Sequence, residues 1–106
     1  MIKIKTLTET GLNKMCKTYI NSLSHVLYNL GNEERRIDFF KKKANGNIAE
    51  AFVFFDENYR GDISNIRCID VEGDIVAVDN NIYPKTGDKA LYIAFKHEFK
   101  EVEADV

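Results

Sequence analysis

Histidine and cysteine are scarce in this sequence, and their scarcity limits the sites that the chain could form. The 106 residues include two cysteines and two histidines, with no Cys-x-x-Cys or His-x-x-x-His pair. A structural zinc site needs three or four such ligands at short spacings. The composition therefore predicts that the protein holds no metal ion.

Glycine and proline are also few, six and one respectively, and the glycines are scattered along the chain. Loops that cradle phosphate need clustered glycines directly before a helix, as in the P-loop and the Rossmann fingerprint. The sequence therefore excludes nucleotide binding of these two types, and we expect no cofactor.

Long hydrophobic runs are absent. No apolar run approaches the ~18 residues of a membrane-spanning helix, and the first residues alternate isoleucine with lysine, unlike a signal peptide. We therefore expect a cytoplasmic protein that does not enter a membrane. Because cytoplasmic thiols stay reduced, Cys16 and Cys68 are predicted to be buried thiols and not a disulfide.

The clearest pattern that is present lies in residues 12–30. Apolar residues recur there at the i, i+3, i+4, i+7 spacing of an amphipathic helix. They are Leu12, Met15, Cys16, Tyr19, Ile20, Leu23, Val26, Leu27 and Leu30. With a threonine cap at Thr8 or Thr10 and a glycine stop at Gly31, this stripe predicts a helix over residues 9–31.

A second helix is predicted over residues 32–45. Asn32 can cap it, Glu33 and Glu34 suit its positive end, and the lysines at 41–43 suit its negative end.

Strand patterns occupy most of the remaining chain. Residues 1–7 alternate like a short strand, residues 48–99 resemble antiparallel strands joined by turns, and residues 100–106 form a tail. The run 48–55 is apolar except for Glu50, so we expect a central strand covered on much of both faces. A two-residue turn at 72–73 would place Cys68 opposite Ala77 and Ile69 opposite Val76.

The predicted order is one strand, a long helix, a short helix and four strands. An α+β fold, with both helices packed on a four- or five-stranded antiparallel sheet, would cover the apolar helix stripe and the apolar strand faces. At this length we expect a single domain spanning residues 1–106.

The net charge is −2, but residues 1–45 carry +5 and residues 46–106 carry −7. The acidic candidates for partner binding lie in the predicted strand loops and are Asp56, Glu57, Asp62, Asp70, Glu72, Asp74 and Asp79. The basic candidates for nucleic-acid contact lie on the predicted second helix and are Arg35, Arg36, Lys41, Lys42 and Lys43. This charge split is the feature that points most directly to function.

Catalytic patterns are weak. Ser22, Ser24 and His25 are close in sequence but point around a predicted helix surface, where such residues are common without catalysis. His97 has the same strand parity as Phe95, which indicates a half-buried histidine. We therefore predict no catalytic residues and no enzymatic activity.

The carboxylates of residues 70–74 alternate as in a calcium-binding loop. An EF-hand requires glycine at the sixth position and glutamate at the twelfth, counted from the first aspartate. Ile75 and Asn81 stand at these positions, so the segment is interpreted as an exposed turn.

Residues with AT-rich codons (Phe, Tyr, Met, Ile, Asn, Lys) number 46, against 18 with GC-rich codons (Gly, Ala, Arg, Pro), which is typical of an AT-rich bacterial or phage genome. We therefore predict a non-enzymatic binding or inhibitor protein, such as an anti-defence or anti-CRISPR-like accessory factor of a phage or mobile element. Its acidic surface would bind a protein partner with a basic surface.

The alternative function is nucleic-acid binding through the basic second helix. Because its charge is split between two halves, the chain could also pair with a second copy as a homodimer.

Overall fold

The computed structural model describes residues 7–101, in which the chain forms one helix and eight strands. The elements are α1 Glu9–Ser22, β1 Leu23–Leu30, β2 Glu33–Ile37, β3 Lys41–Asn45, β4 Ile48–Phe55, β5 Gly61–Asp70, β6 Ile75–Asp79, β7 Tyr83–Lys85 and β8 Leu91–Glu98. The predicted α+β class, with a helix on antiparallel sheet, is confirmed. The second helix and the single sheet are wrong. Most of the strand predicted at 1–7, and residues 102–106 of the tail, lie outside the described residues.

The strands form two antiparallel sheets. In the five-stranded sheet the order is β2-β1-β5-β6, and β7 pairs with the first residues of β5, Gly61 to Ile63. In the three-stranded sheet the order is β3-β4-β8. The long strand β5 therefore carries β7 near its start and β6 near its end.

Helix α1 begins at the predicted residue, Glu9, but ends before the predicted residue 31. The Thr8 hydroxyl accepts a hydrogen bond from the Gly11 amide at 3.0 Å, which is the expected cap. Leu23 is extended (φ −71°, ψ 129°), so the helix stops at Ser22 and not at residue 31. No helix within residues 7–101 has both the length and the apolarity needed to cross a membrane.

Residues 23–30, predicted to be helical, form the strand β1 between β2 and β5. Leu23, Val26 and Tyr28 are the buried positions, at spacings of three and two. The register with β5 shifts twice, and the first shift, between Leu23 and His25, breaks the alternation of buried residues. This irregularity reproduces part of a helical spacing, which explains the wrong prediction.

Residues 32–45 form the strands β2 and β3 in place of the predicted second helix. Gly31 and Gly46 both have φ of +61° and hold the first position of a two-residue turn, between β1 and β2 and between β3 and β4. Glycine is favoured there by type II′ hairpin turns. The charged residues of this segment therefore lie on edge strands. Charged side chains on an edge strand prevent it from pairing with strands of other molecules.

One hydrophobic core joins the helix and both sheets. Tyr28 of β1 and Phe55 of β4 meet across the two sheets with ring centroids 4.9 Å apart. The helix contributes Cys16 and Ile20 and contacts β3 and β4. The five-stranded sheet and the helix together cover one face of the three-stranded sheet, so its other face is open.

Candidate functional site

Three carboxylates converge in the turn between β5 and β6. The Asp70 carboxylate accepts hydrogen bonds from the amides of Glu72 (3.0 Å) and Asp74 (2.9 Å), which bends the chain and brings the acidic side chains together. Their carboxylate oxygens lie within 4.8 Å of one another. Glu72 and Asp74 are exposed and Asp70 is half-buried. We call Asp70, Glu72 and Asp74 the acidic turn.

The end of the helix fixes the position of the acidic turn. The Val71 amide donates to the Ser22 carbonyl at 2.8 Å, and Gly73, with φ of +87°, donates to the Asp70 carbonyl at 3.0 Å. The concentrated negative charge is therefore held on an ordered turn. Within residues 7–101 this is the one group of three His, Cys, Asp or Glu side chains whose ligand-type atoms come together in this way.

The other acidic candidates do not join this turn. Asp62 lies near the start of β5, opposite Pro84 of β7, whereas Asp70 is the last residue of β5. At ~3.3 Å per residue, Asp62 and Asp70 are roughly 26 Å apart along the strand. Asp56 and Glu57 lie in the β4–β5 loop, where Asp56 accepts from the Asn58 amide at 2.9 Å. The acidic candidates outside the turn are therefore a group in and just after this loop (Asp56, Glu57 and Asp62), which we call the other acidic region, and Asp79, which lies opposite Ile66 of β5.

Asp79 serves a local structural role. Its carboxylate accepts from the Tyr83 hydroxyl at 2.6 Å and from the Asn81 backbone and side-chain amides at 2.9 Å. The hydrogen bond from Tyr83 to this carboxylate raises the pKa of Tyr83, because the phenol would lose the bond on ionisation. Asp79 thus stabilises the connection between β6 and β7.

The basic candidates are distributed over two edge strands, and most have intramolecular partners. Arg35 pairs with Glu33 at 3.1 Å and Arg36 with Asp38 at 3.5 Å. The remaining three are lysines of β3. Lys42 donates a hydrogen bond to the Leu23 carbonyl at 2.9 Å and lies over the Phe39 ring. Lys43 forms a salt bridge with Glu50 at 3.6 Å, and Lys41 is exposed with no salt bridge among the described residues. The continuous basic helix surface that the sequence suggested is therefore absent from the described residues.

The three-stranded sheet has an open face. The β4 residues at 49, 51, 53 and 55 are buried, so alternation directs the even-numbered residues the opposite way. Residues directly opposite each other in an antiparallel pair share a face, so the β3 and β8 partners of these even-numbered residues lie on the same side of the sheet. The outer face comprises Lys41, Lys43, Asn45, Ile48, Glu50, Phe52, Phe54, Tyr92, Ala94, Lys96 and Glu98, together with Phe40, whose ring packs on Phe54 and Tyr92.

Four aromatic rings cluster on the outer face. Measured between centroids, Tyr92 lies 5.2 Å from Phe54, 5.5 Å from Phe40 and 6.1 Å from Phe52. Phe40 precedes β3, and its amide donates to the Phe52 carbonyl at 2.8 Å. Phe40 is 60% exposed and Tyr92 is 52% exposed. Contiguous exposed apolar surface of this kind marks binding sites on soluble proteins.

Sequence reasoning missed this face because it expected β4 to be covered on both sides. A signal was present in β8, where Leu91, Ile93 and Phe95 alternate with Tyr92 and more polar residues. That alternation indicates a sheet with one solvent-facing side. Pairing β4 with β8 extends the same solvent side to Phe52 and Phe54.

The histidines differ in their surroundings. Ser24 Oγ lies 2.9 Å from His25 Nδ1, between neighbouring residues of β1. Within residues 7–101 no carboxylate is hydrogen-bonded to the His25 ring, so the pair lacks the third group that orients a catalytic base. His97 packs edge-on against Tyr19 at 5.6 Å, and its buried Nε2 has no hydrogen-bond partner among the described residues.

The two thiols are free and fully buried, as predicted. Burial raises the pKa of Cys68 to about 12 and also raises that of Cys16. Since the thiolate is the nucleophile, neither cysteine is activated for chemistry at neutral pH.

Two open depressions also lie on the surface. The larger, of about 350 Å³, is bordered by Glu9, Asn13 and Asn47 between the helix start and the β3–β4 turn. The smaller, of about 190 Å³, lies beside Tyr83 and Lys89. Comparison of the chain with protein-family models, with curated proteins and with solved structures found no match.

Proposed function

We propose that this chain is a non-enzymatic binding protein that docks through the acidic turn onto a basic surface of a protein partner. The observation that supports the proposal is the convergence of three carboxylates within 4.8 Å on an ordered turn. Concentrated charge of one sign attracts a surface of the opposite sign and accelerates association. An inhibitor of a host defence or nucleic-acid enzyme, encoded by a phage or mobile element, is the class of protein that fits this proposal.

We also propose that the protein is cytoplasmic. Two cysteines that remain free thiols support this location, because secreted proteins of this size usually pair their cysteines.

The test separates the acidic turn from the other acidic region. The double variant Glu72→Lys with Asp74→Lys reverses two exposed charges and leaves Asp70 in place to hold the turn. We expect its association rate with the partner to fall roughly ten-fold or more, because electrostatic steering is reversed. The partner would be captured from host lysate and identified by mass spectrometry, and the rates would then be measured by surface plasmon resonance.

The matched control is the double variant Glu57→Lys with Asp62→Lys. It makes the same change in net charge on exposed residues of the other acidic region. We expect it to retain most of the association rate. Equal losses in the two double variants would show that only net charge matters and would contradict docking at the acidic turn.

A second candidate function is nucleic-acid binding. The observation that favours it is that Lys41 and Lys43 of β3 belong to the outer face, beside the aromatic cluster. Arg35 and Arg36 lie on β2 of the other sheet and are paired with carboxylates, so they are not part of this surface.

A further inference from the structure

The aromatic rings of the outer face are placed to receive flat ligands. Phe40 and Tyr92 are more than half exposed, although each touches other rings at 5.2 to 5.6 Å between centroids. Their neighbours Phe52 and Phe54 support them from the sheet. Exposed rings fixed on a sheet are the surfaces on which proteins stack the bases of single-stranded nucleic acids.

Three lysines lie on the same face, to one side of these rings. Lys41 lies directly opposite Phe52, which in turn lies opposite Ala94. In the next row, about 6.6 Å along the strands, Lys43 and Lys96 lie on either side of Glu50. Lys43 pairs with Glu50 at 3.6 Å. The two rows beside the rings thus carry three cations and one anion, a positive balance in a chain whose net charge is −2.

We propose that the outer face binds single-stranded DNA, with bases stacked on Phe40 and Tyr92 and phosphates contacted by Lys41 and Lys96. Every base has a flat face, so the surface requires bases that are unstacked and not a particular sequence. A duplex keeps its bases stacked inside and cannot use the rings. Neither stacking nor phosphate contact uses the 2′-hydroxyl that distinguishes RNA from DNA, so a DNA strand satisfies every contact that the outer face offers. This inference rests on the second candidate function, nucleic-acid binding, and identifies the outer face as the surface that binds.

Binding would be measured by fluorescence anisotropy with a labelled oligothymidylate of about 15 nucleotides at ~50 mM salt. We expect tighter binding of this probe than of a duplex of equal length, and affinity that falls as salt rises. Phe40→Ala and Tyr92→Ala should each weaken binding at least about five-fold. Tyr92→Phe keeps the ring and should retain affinity within about two-fold.

The role of the lysines is tested by measuring how the affinity for DNA depends on salt concentration. Lys41→Ala and Lys96→Ala should each weaken binding and reduce the slope of log affinity against log salt by about 0.7 per lost phosphate contact. Lys14→Ala and Lys17→Ala, on the exposed side of α1, are the matched controls and should change neither quantity. Because Phe40 and Tyr92 are largely exposed, their variants should stay folded, which circular dichroism would verify.

Several results would overturn the inference, and they are distinguishable. If the native protein binds neither single strands nor duplex, nucleic-acid binding as a function fails together with the proposed surface. If it binds DNA but the Phe40→Ala and Tyr92→Ala variants bind equally well, the function survives and the surface is wrong. An oligouridylate bound ten-fold more tightly than oligothymidylate would overturn the choice of DNA. Self-association that these ring variants abolish, without DNA binding, would identify a protein interface.

Discussion

Replacing Phe55 with alanine is expected to lower the free energy of unfolding by roughly 3 to 5 kcal/mol. The Phe55 side chain is fully buried and packs against Tyr28 at 4.9 Å and Tyr59 at 5.3 Å. Truncation removes apolar contacts and leaves a cavity where the two sheets meet, so both terms of the cost apply. A loss of this size is a large part of the ~5 to 15 kcal/mol that stabilises a domain. Urea unfolding followed by circular dichroism would measure it.

Phe40→Ala is the matched control for this prediction. The same side chain is removed, but from a ring that is 60% exposed on the outer face. Exposed substitutions usually change stability by less than about 0.5 kcal/mol. A similar loss in both variants would show that the inner face of the three-stranded sheet is not the core.

Alkaline pH is expected to destabilise the fold through Cys68. Burial raises the pKa of this thiol from 9.0 to about 12 in the folded protein. Between these values the unfolded chain binds fewer protons than the folded protein, so the free energy of unfolding falls as pH rises. The contribution is fully present below about pH 9 and is lost towards pH 12, at about 1.4 kcal/mol per pH unit for one thiol.

Urea unfolding of the native protein and of Cys68→Ala, between about pH 8 and pH 11, would test this effect. Cys16 and Tyr28 also have pKa values raised by burial, but both remain in the variant. The difference between the two proteins therefore reports Cys68 together with the part of the raised Tyr19 pKa that the Cys68 charge causes. We expect the stability of the native protein to fall more steeply with pH. Parallel curves would mean that the thiol ionises in the folded state near its ordinary pKa, and hence that it is accessible to water.

The turns show how far local sequence reasoning reaches. The sequence predicts that Gly31 ends a helix in a left-handed conformation, and Gly31 has φ of +61°, as does Gly46. The same glycine conformation can end a helix or form a hairpin turn, so the residue type fixes the backbone angle and not the flanking elements. In the β5–β6 hairpin, Cys68 lies opposite Ala77 as predicted, but a register shift places Ile69 opposite Ile75 instead of Val76.

The candidate surfaces were predictable to different degrees. Asp70, Glu72 and Asp74 lie within a few residues of one another, so their proximity could be seen in the sequence. Their convergence within 4.8 Å depends on the hydrogen bonds of the turn. The alternation of β8 indicates a solvent-facing side of the sheet, but the aromatic cluster was not predictable, because it requires Phe40 and Tyr92, which are far apart in sequence, to meet at 5.5 Å.

The sequence by itself determined the features that depend on neighbouring residues. These are the helix start at residue 9, the left-handed conformation of Gly31, the burial of both thiols and the alternation of β8. The tertiary structure alone decided that residues 23–45 became strands and not helix, and which sheet face stayed open. The physical reason is that Leu23–Leu30 has a spacing compatible with helix or with an irregular strand, and only its pairing with β2 and β5 selects the strand.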